Sequence, residues 1–110
     1  MSYEDLDAWK RACRLSCEIY TVLSRCRDFG FRDQITRSGL SIPSNIAEGF
    51  ERGSQKAKRQ FLYYAKGSLA ELKTQVYIGQ RIGYILEKPW LVARTQCSAL
   101  LACGSEILLY

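Results

Sequence analysis

Apolar residues recur every three or four positions along this chain, and nowhere do they alternate with a period of two over the length of a strand. Over residues 4–27, Leu6, Trp9, Ala12, Cys13, Ser16, Ile19, Tyr20 and Leu23 fall on one side at 100° per residue, opposite Glu4, Asp7, Arg11, Arg14, Glu18 and Arg25. The spacing predicts a first helix whose wet face is supported by Asp7 to Arg11 and Arg14 to Glu18 pairs. With Leu15, Val22 and Cys26 the apolar arc widens to about 220°, against about 100° for a helix with one neighbour. More than one neighbour is therefore expected. Ser2 and Asp5 have the three-residue offset of a capping box at the start of this helix.

The segment RDFGFRD ends it, with Gly30 suited to the turn past its C-terminus. A second helical pattern runs from about Phe31 to Phe50, with Phe31, Ile35, Gly39, Ile42, Ile46 and Phe50 on one side. The spacing survives Pro43, although a proline inside a helix removes a hydrogen bond, clashes with the carbonyl four residues back and costs about 3 kcal/mol. A bend is expected there, with Ser41, Ser44 and Asn45 at hand to satisfy the freed backbone groups. Gly53 closes this helix, and Ser54 caps a third from about Gln55 to Leu86, striped by Phe61, Leu62, Ala65, Leu69, Leu72, Val76 and Ile82. Gly67, Gly79 and Gly83 interrupt it at about 1 kcal/mol each relative to alanine, so a close approach of another backbone is expected at one of them. KPW then opens a fourth pattern from about Pro89 to the end, lined by Trp90, Ala93, Cys97, Leu100, Leu101, Gly104, Ile107 and Leu108. Four patterns with short connections predict one all-α domain over residues 1–110, an antiparallel up-down four-helix bundle with helix two kinked at Pro43. Wide apolar arcs on helices one and four predict assembly with further copies.

Charge changes the picture more than composition does. Sixteen Lys and Arg against eleven acids give a formal charge of +5, and a basic chain is drawn to nucleic acid or another anionic surface. No apolar run approaches the roughly 18 residues that would span a membrane. The opening MSYEDLDAWK carries acids where a signal peptide needs positive charge followed by an apolar block, so a cytoplasmic protein with no membrane partner is expected. The chain has no histidine, which removes the commonest general acid and base. It also lacks G-x-S-x-G, Walker and H-E-x-x-H motifs, so the expectation is a non-catalytic protein without a cofactor. Cys13 and Cys17 are four apart and would share a helix face, but the five cysteines (with Cys26, Cys97 and Cys103) include no C-x-x-C and read better as buried small hydrophobes in a reducing compartment. Glu48 and Glu51, three apart, are a second candidate pair of ligands, for a divalent ion, at a helix end where carboxylates are usually solvated, and no metal site is expected.

One arrangement of cations is more specific. If helix three begins near residue 52, then Arg52, Lys56, Arg59, Tyr63, Lys66 and Lys73 fall within about 100° of one another, opposite Phe61, Ala65 and Leu72. They form a ribbon about 30 Å long, nearly free of acids, with one aromatic among the cations. An ordinary wet helix face accounts for any single lysine; the uniform sign points to phosphate binding that tolerates any sequence.

SIPSNIAEG at 41–49, preceded by QITRSGL at 34–40 and followed by FLYYAKGSLAELKTQ at 61–75, resembles the 23S rRNA-intervening sequence proteins, and the opening DLDAWKRACRL is similar to that family's first helix. The resemblance implies a four-helix bundle assembled into a ring-like homopentamer. Distant relatives are the accessory proteins of diversity-generating retroelements, which bind a reverse transcriptase and its template RNA, so it also implies a reverse transcriptase or other protein as a possible partner. Within the motif, Ser41, Pro43, Ser44, Asn45, Glu48 and Gly49 have two readings: a packing or subunit contact, or a polar recognition patch formed by Ser44, Asn45 and Glu48. Two functions are consistent with the whole. The first is an oligomeric accessory factor that binds structured RNA, or DNA, through basic helix faces. The alternative is a scaffolding oligomer that binds a protein partner and has no nucleic-acid role.

Overall fold

The computed structural model describes residues 2–86, which are helical throughout their regular structure: a 3₁₀ turn at Tyr3–Asp5, then α1 (Asp7–Val22), α2 (Phe29–Arg52) and α3 (Gln55–Arg81). The fourth helical pattern, from Pro89 onward, lies outside the described residues, as do Cys97 and Cys103. Central in the packing is α2, which lies against both α1 and α3. Leu15 and Ile19 of α1, Ile35, Ile42 and Ile46 of α2, and Leu69, Leu72 and Val76 of α3 meet in one buried cluster, each supplied by the predicted three-and-four spacing.

The N-terminus departs from the expected single helix over 4–27. The capping box forms, with Glu4 N donating to Ser2 Oγ at 3.2 Å and Ser2 N donating to Asp5 Oδ2 at 3.3 Å, but it caps the 3₁₀ turn. Leu6 then takes an extended conformation and is completely buried, so the chain breaks the helix to place this side chain in the core. Tyr3 and Trp9 pack edge to face across the break, ring centroids 5.4 Å apart. At its other end α1 stops at Val22, five residues earlier than expected from the sequence pattern. Tyr20 and Cys17 are exposed, and Cys13 and Cys26 are half-buried, so the three described cysteines are not the buried small hydrophobes expected from the sequence. On the wet face Asp7 pairs with Arg11 at 2.9 Å.

Gly30 is not the turn past α1. Asp28 caps α2 two residues earlier than expected, its Oδ1 accepting from Phe31 N at 3.1 Å, and Gly30 falls in the first turn of α2. From there α2 continues unbroken through the buried Pro43 to Arg52, with no interruption where the bend was expected. Asn45 Nδ2 donates to the Ser41 carbonyl at 2.7 Å, which is not the Gly39 carbonyl that Pro43 leaves without its helical donor. Buried hydroxyls are satisfied locally as well, Thr36 donating to Arg32 O at 2.7 Å and Ser38 to Gln34 O at 3.1 Å. The α2–α3 turn follows the sequence expectation closely. Gly53 is left-handed (φ 78°) and Ser54 Oγ accepts from Ala57 N at 3.1 Å.

The third helix ends at Arg81, short of the expected Leu86. Gly83 is left-handed (φ 84°), and Tyr84 N and Ile85 N both donate to Gly79 O, at 2.8 and 3.1 Å. The reversed chain lays Ile85 back onto Gly79, where an added Cβ would lie 2.7 Å from Ile85 Cδ1 and 3.0 Å from Phe31 Cζ. A close approach at one of the glycines is thus present, but side chains make it rather than a second backbone. Tyr84 ties this end to the start of α2, its hydroxyl donating to Asp28 Oδ2 at 2.9 Å.

Candidate nucleic-acid interface

Within α3 are six Lys or Arg residues and a single acid, Glu71. Five of the six are exposed, and they are not scattered: Lys56, Arg59, Lys66 and Lys73 lie with Tyr63 within about 100° of one another around the helix axis. None of these four cations has an ion-pair partner among the described residues. Continuing the same count to the helix end brings in Tyr77 and Arg81, both exposed and both beyond the ribbon expected from the sequence, which ends at Lys73. From Lys56 to Arg81 the row extends about 37 Å. Glu71 sits outside that arc, beside Gln75, whose Nε2 donates to its Oε1 at 3.4 Å.

Arg52 does not belong to the row. It is the last residue of α2, and the left-handed Gly53 redirects the chain before α3 begins, so the helical count that joined it to Lys56 does not apply. Its guanidinium pairs with Glu48 at 3.1 Å and lies 5.0 Å from the centre of the Phe61 ring, which is on the other side of α3 from the cations. Lys58 is the remaining basic residue of the helix and points inward. It is 2% exposed, with its Nζ 5.1 Å from the centre of the Phe50 ring, an aliphatic stem in the core and a cation against an aromatic face. Its position, about 200° from Lys56, is the signal that separates it from the row.

The motif at 41–49 divides by position. Ser41 and Ser68 share a hydrogen bond of 2.8 Å across the α2–α3 contact, and Asn45 Nδ2 donates to Ser41 Oγ at 2.9 Å as well as to its carbonyl. Gly49 is buried at a close approach of the two helices: an added Cβ would come within 2.8 Å of Phe61 Cβ and 3.5 Å of Lys58 Cα. Phe61 Cβ is fixed to its backbone, so only glycine keeps this separation. Pro43 is buried as well. Ser44 and Glu48 are exposed, and Glu48 is engaged by Arg52. Ser41, through Ser68, and Gly49, against Phe61, therefore hold α2 to α3, with Asn45 bracing Ser41 from within α2, and through that contact they fix which side of α3 faces outward. Beside them runs a shallow polar groove of about 220 Å³ lined by Gln34, Arg37, Ser38, Ser41, Ser68 and Glu71.

Elsewhere the described residues offer little reactive chemistry. Burial, and then the neighbouring Cys17, push the Cys13 thiol above its ordinary value, which disfavours the thiolate that a nucleophile or metal ligand has to be. Among the described residues, no helix is long and apolar enough to cross a membrane. The sequence matches no curated protein. The model of the 23S rRNA-intervening sequence protein family, in contrast, matches residues 4–103, a span that includes all three helices, the α2–α3 contact and the outward row of α3, and the chain belongs to that family.

Proposed function

We propose that this protein is a non-catalytic, oligomeric accessory factor that binds RNA through the outward face of α3 without reading its sequence. The observation that carries the reading is the run of Lys56, Arg59, Lys66 and Lys73 along one exposed arc, with no ion-pair partner among the described residues and no acid on that arc. Cations held on a helix at intervals of three to seven residues meet phosphates by charge and displace their counterions, which makes binding tight at low salt and steeply salt-dependent. They offer no fixed set of base-reading groups.

The assembly in this proposal follows the family resemblance. That resemblance implies four-helix protomers, five of which would close into a ring in the cytoplasm. Five rows on one particle would turn weak contacts into strong binding through avidity. The exposed apolar residues Phe29, Ile82 and Leu86 favour a second reading, in which the ring is a scaffold for a protein partner such as a reverse transcriptase.

The test is binding of RNA and duplex DNA by the purified protein over a salt series, with its mass measured by light scattering in the same buffers. The proposal expects an oligomer whose affinity falls steeply with salt. Absence of binding to either nucleic acid at low salt would leave the scaffold reading.

A further inference from the structure

A row made only to hold phosphates has no use for aromatic rings, yet two tyrosines lie within the row on α3. Tyr63 is 70% exposed and Tyr77 59%. Neither serves the core. The adjacent Tyr64 is different, since its ring packs edge-on to Phe61 at 5.5 Å and its hydroxyl accepts from Gln60 Nε2 at 2.8 Å. No ring or hydrogen-bond partner of Tyr63 occurs among the described residues. Tyr77 carries Arg81, whose guanidinium carbon is 5.7 Å from the ring centre and whose NH1 donates to the hydroxyl at 3.5 Å, making a paired aromatic and guanidinium platform. Tyr63 and Tyr77 are fourteen residues apart, which places them about 21 Å from each other along the axis and about 40° apart around it. Lys66 and Lys73 lie between them on the same arc.

We infer that this face takes unpaired RNA in preference to duplex, with phosphates along the cations and bases stacked on Tyr63 and on the Tyr77–Arg81 platform. In a duplex every base already has neighbours on both faces, and the narrow major groove of A-form RNA admits no side chain, so a straight helix meets only phosphates and groove edges. The tyrosines would then contribute almost nothing. An unpaired strand presents a π-face at each base, and stacking on aromatic residues beside a basic track is indifferent to sequence. At about 3.4 Å per phosphate in a stacked strand, the distance between the two platforms corresponds to about six nucleotides. The inference rests on the reading of the α3 face as an RNA interface and narrows its ligand.

The experiment compares an oligouridine of about 12 nucleotides, twice that reach, with a duplex RNA hairpin carrying the same number of phosphates. Both are titrated by fluorescence anisotropy into the wild-type protein, the Tyr63→Ala/Tyr77→Ala variant and the Tyr63→Phe/Tyr77→Phe variant, each checked for an unchanged thermal melt. The expected result is tighter binding of the oligouridine, at least about tenfold weaker binding by the alanine variant, and retention by the phenylalanine variant. Duplex affinity and the salt slope should be the same in all three. Equal affinity for strand and duplex, with no effect of the alanine pair on either, would overturn the inference and leave the RNA interface standing. Failure of both RNAs to bind at low salt would overturn the two together.

Discussion

The two sides of α3 obey different rules. Its inner side, Ala65, Leu69, Leu72, Val76 and Gly79, is dictated by the space left by its neighbours, and even its one cation, Lys58, is laid against Phe50. The outer side has no neighbour among the described residues to dictate anything, yet its residues are far from mixed in sign. The wet side of α1 is mixed in sign: Lys10, Arg11 and Arg14 stand between Asp7 and Glu18, and Asp7 pairs with Arg11. Such pairs on an exposed helix contribute only a few tenths of a kcal/mol, so their absence from α3 costs little. What α3 gains by omitting them is an uncompensated positive row, the feature on which the proposed phosphate contact rests.

If the two sides are separable, substitutions should divide into those that change stability and those that change binding. The largest effect is expected from Leu69→Ala, which empties a completely buried position and should lower the stability by about 2–5 kcal/mol in chemical denaturation. Reversing Lys56, Arg59, Lys66 and Lys73 to Glu should weaken RNA binding by at least about 100-fold at low salt while the melt stays close to wild type. Reversal of Lys10 and Arg14 on α1 should leave binding within a few-fold, and an equal loss there would erase the contrast between the helices. Gly49→Ala is expected to destabilise by about 1–3 kcal/mol, because Phe61 Cβ cannot retreat without moving α3. Gly67→Ala sharpens the same contrast with the opposite sign: nothing lies within 4 Å of an added Cβ there, and removal of a glycine from an exposed helix position should stabilise by about 0.5–1 kcal/mol.

The smallest effect concerns pH. The hydrogen bond to the Asp28 carboxylate, and then its charge, raise the Tyr84 phenol above its ordinary value. A raised value in the folded state means that the contribution is complete below about pH 10 and is lost as pH rises through the folded value. Thermal melts of Tyr84→Phe should therefore lie slightly below wild type at neutral pH and converge with it in strongly alkaline buffer. A constant offset at every pH would contradict this, because phenylalanine keeps the ring that packs on Phe31, 5.3 Å away, and loses only the bond to Asp28.

Local signals were legible in the sequence, and distant ones were not. Gly53 and Ser54 mark the α2–α3 turn because a left-handed glycine and a capping serine act on their immediate neighbours. The core stripe is equally readable, since Ile35, Ile42, Leu69 and Leu72 follow helical spacing. Leu6 breaks the first helix because the core can hold its side chain, which no local propensity announces. Gly79 is required by Ile85, a residue that returns only after Gly83 has reversed the chain. The row on α3 was readable as a run of cations, but its membership depended on where the helix begins and ends: Arg52 leaves it because α2 stops at that residue, and Tyr77 and Arg81 join it because α3 continues to Arg81.

The central claim is that the outward cations of α3 bind RNA by charge. The most direct measurement is the slope of log affinity against log salt for wild type and for the Lys56, Arg59, Lys66 and Lys73 reversal variant, on the same RNA and with the oligomer confirmed by light scattering. The account predicts a steep slope for wild type and a marked reduction in both affinity and slope for the variant. A variant that is folded, assembles like wild type and binds RNA with an unchanged slope would contradict it.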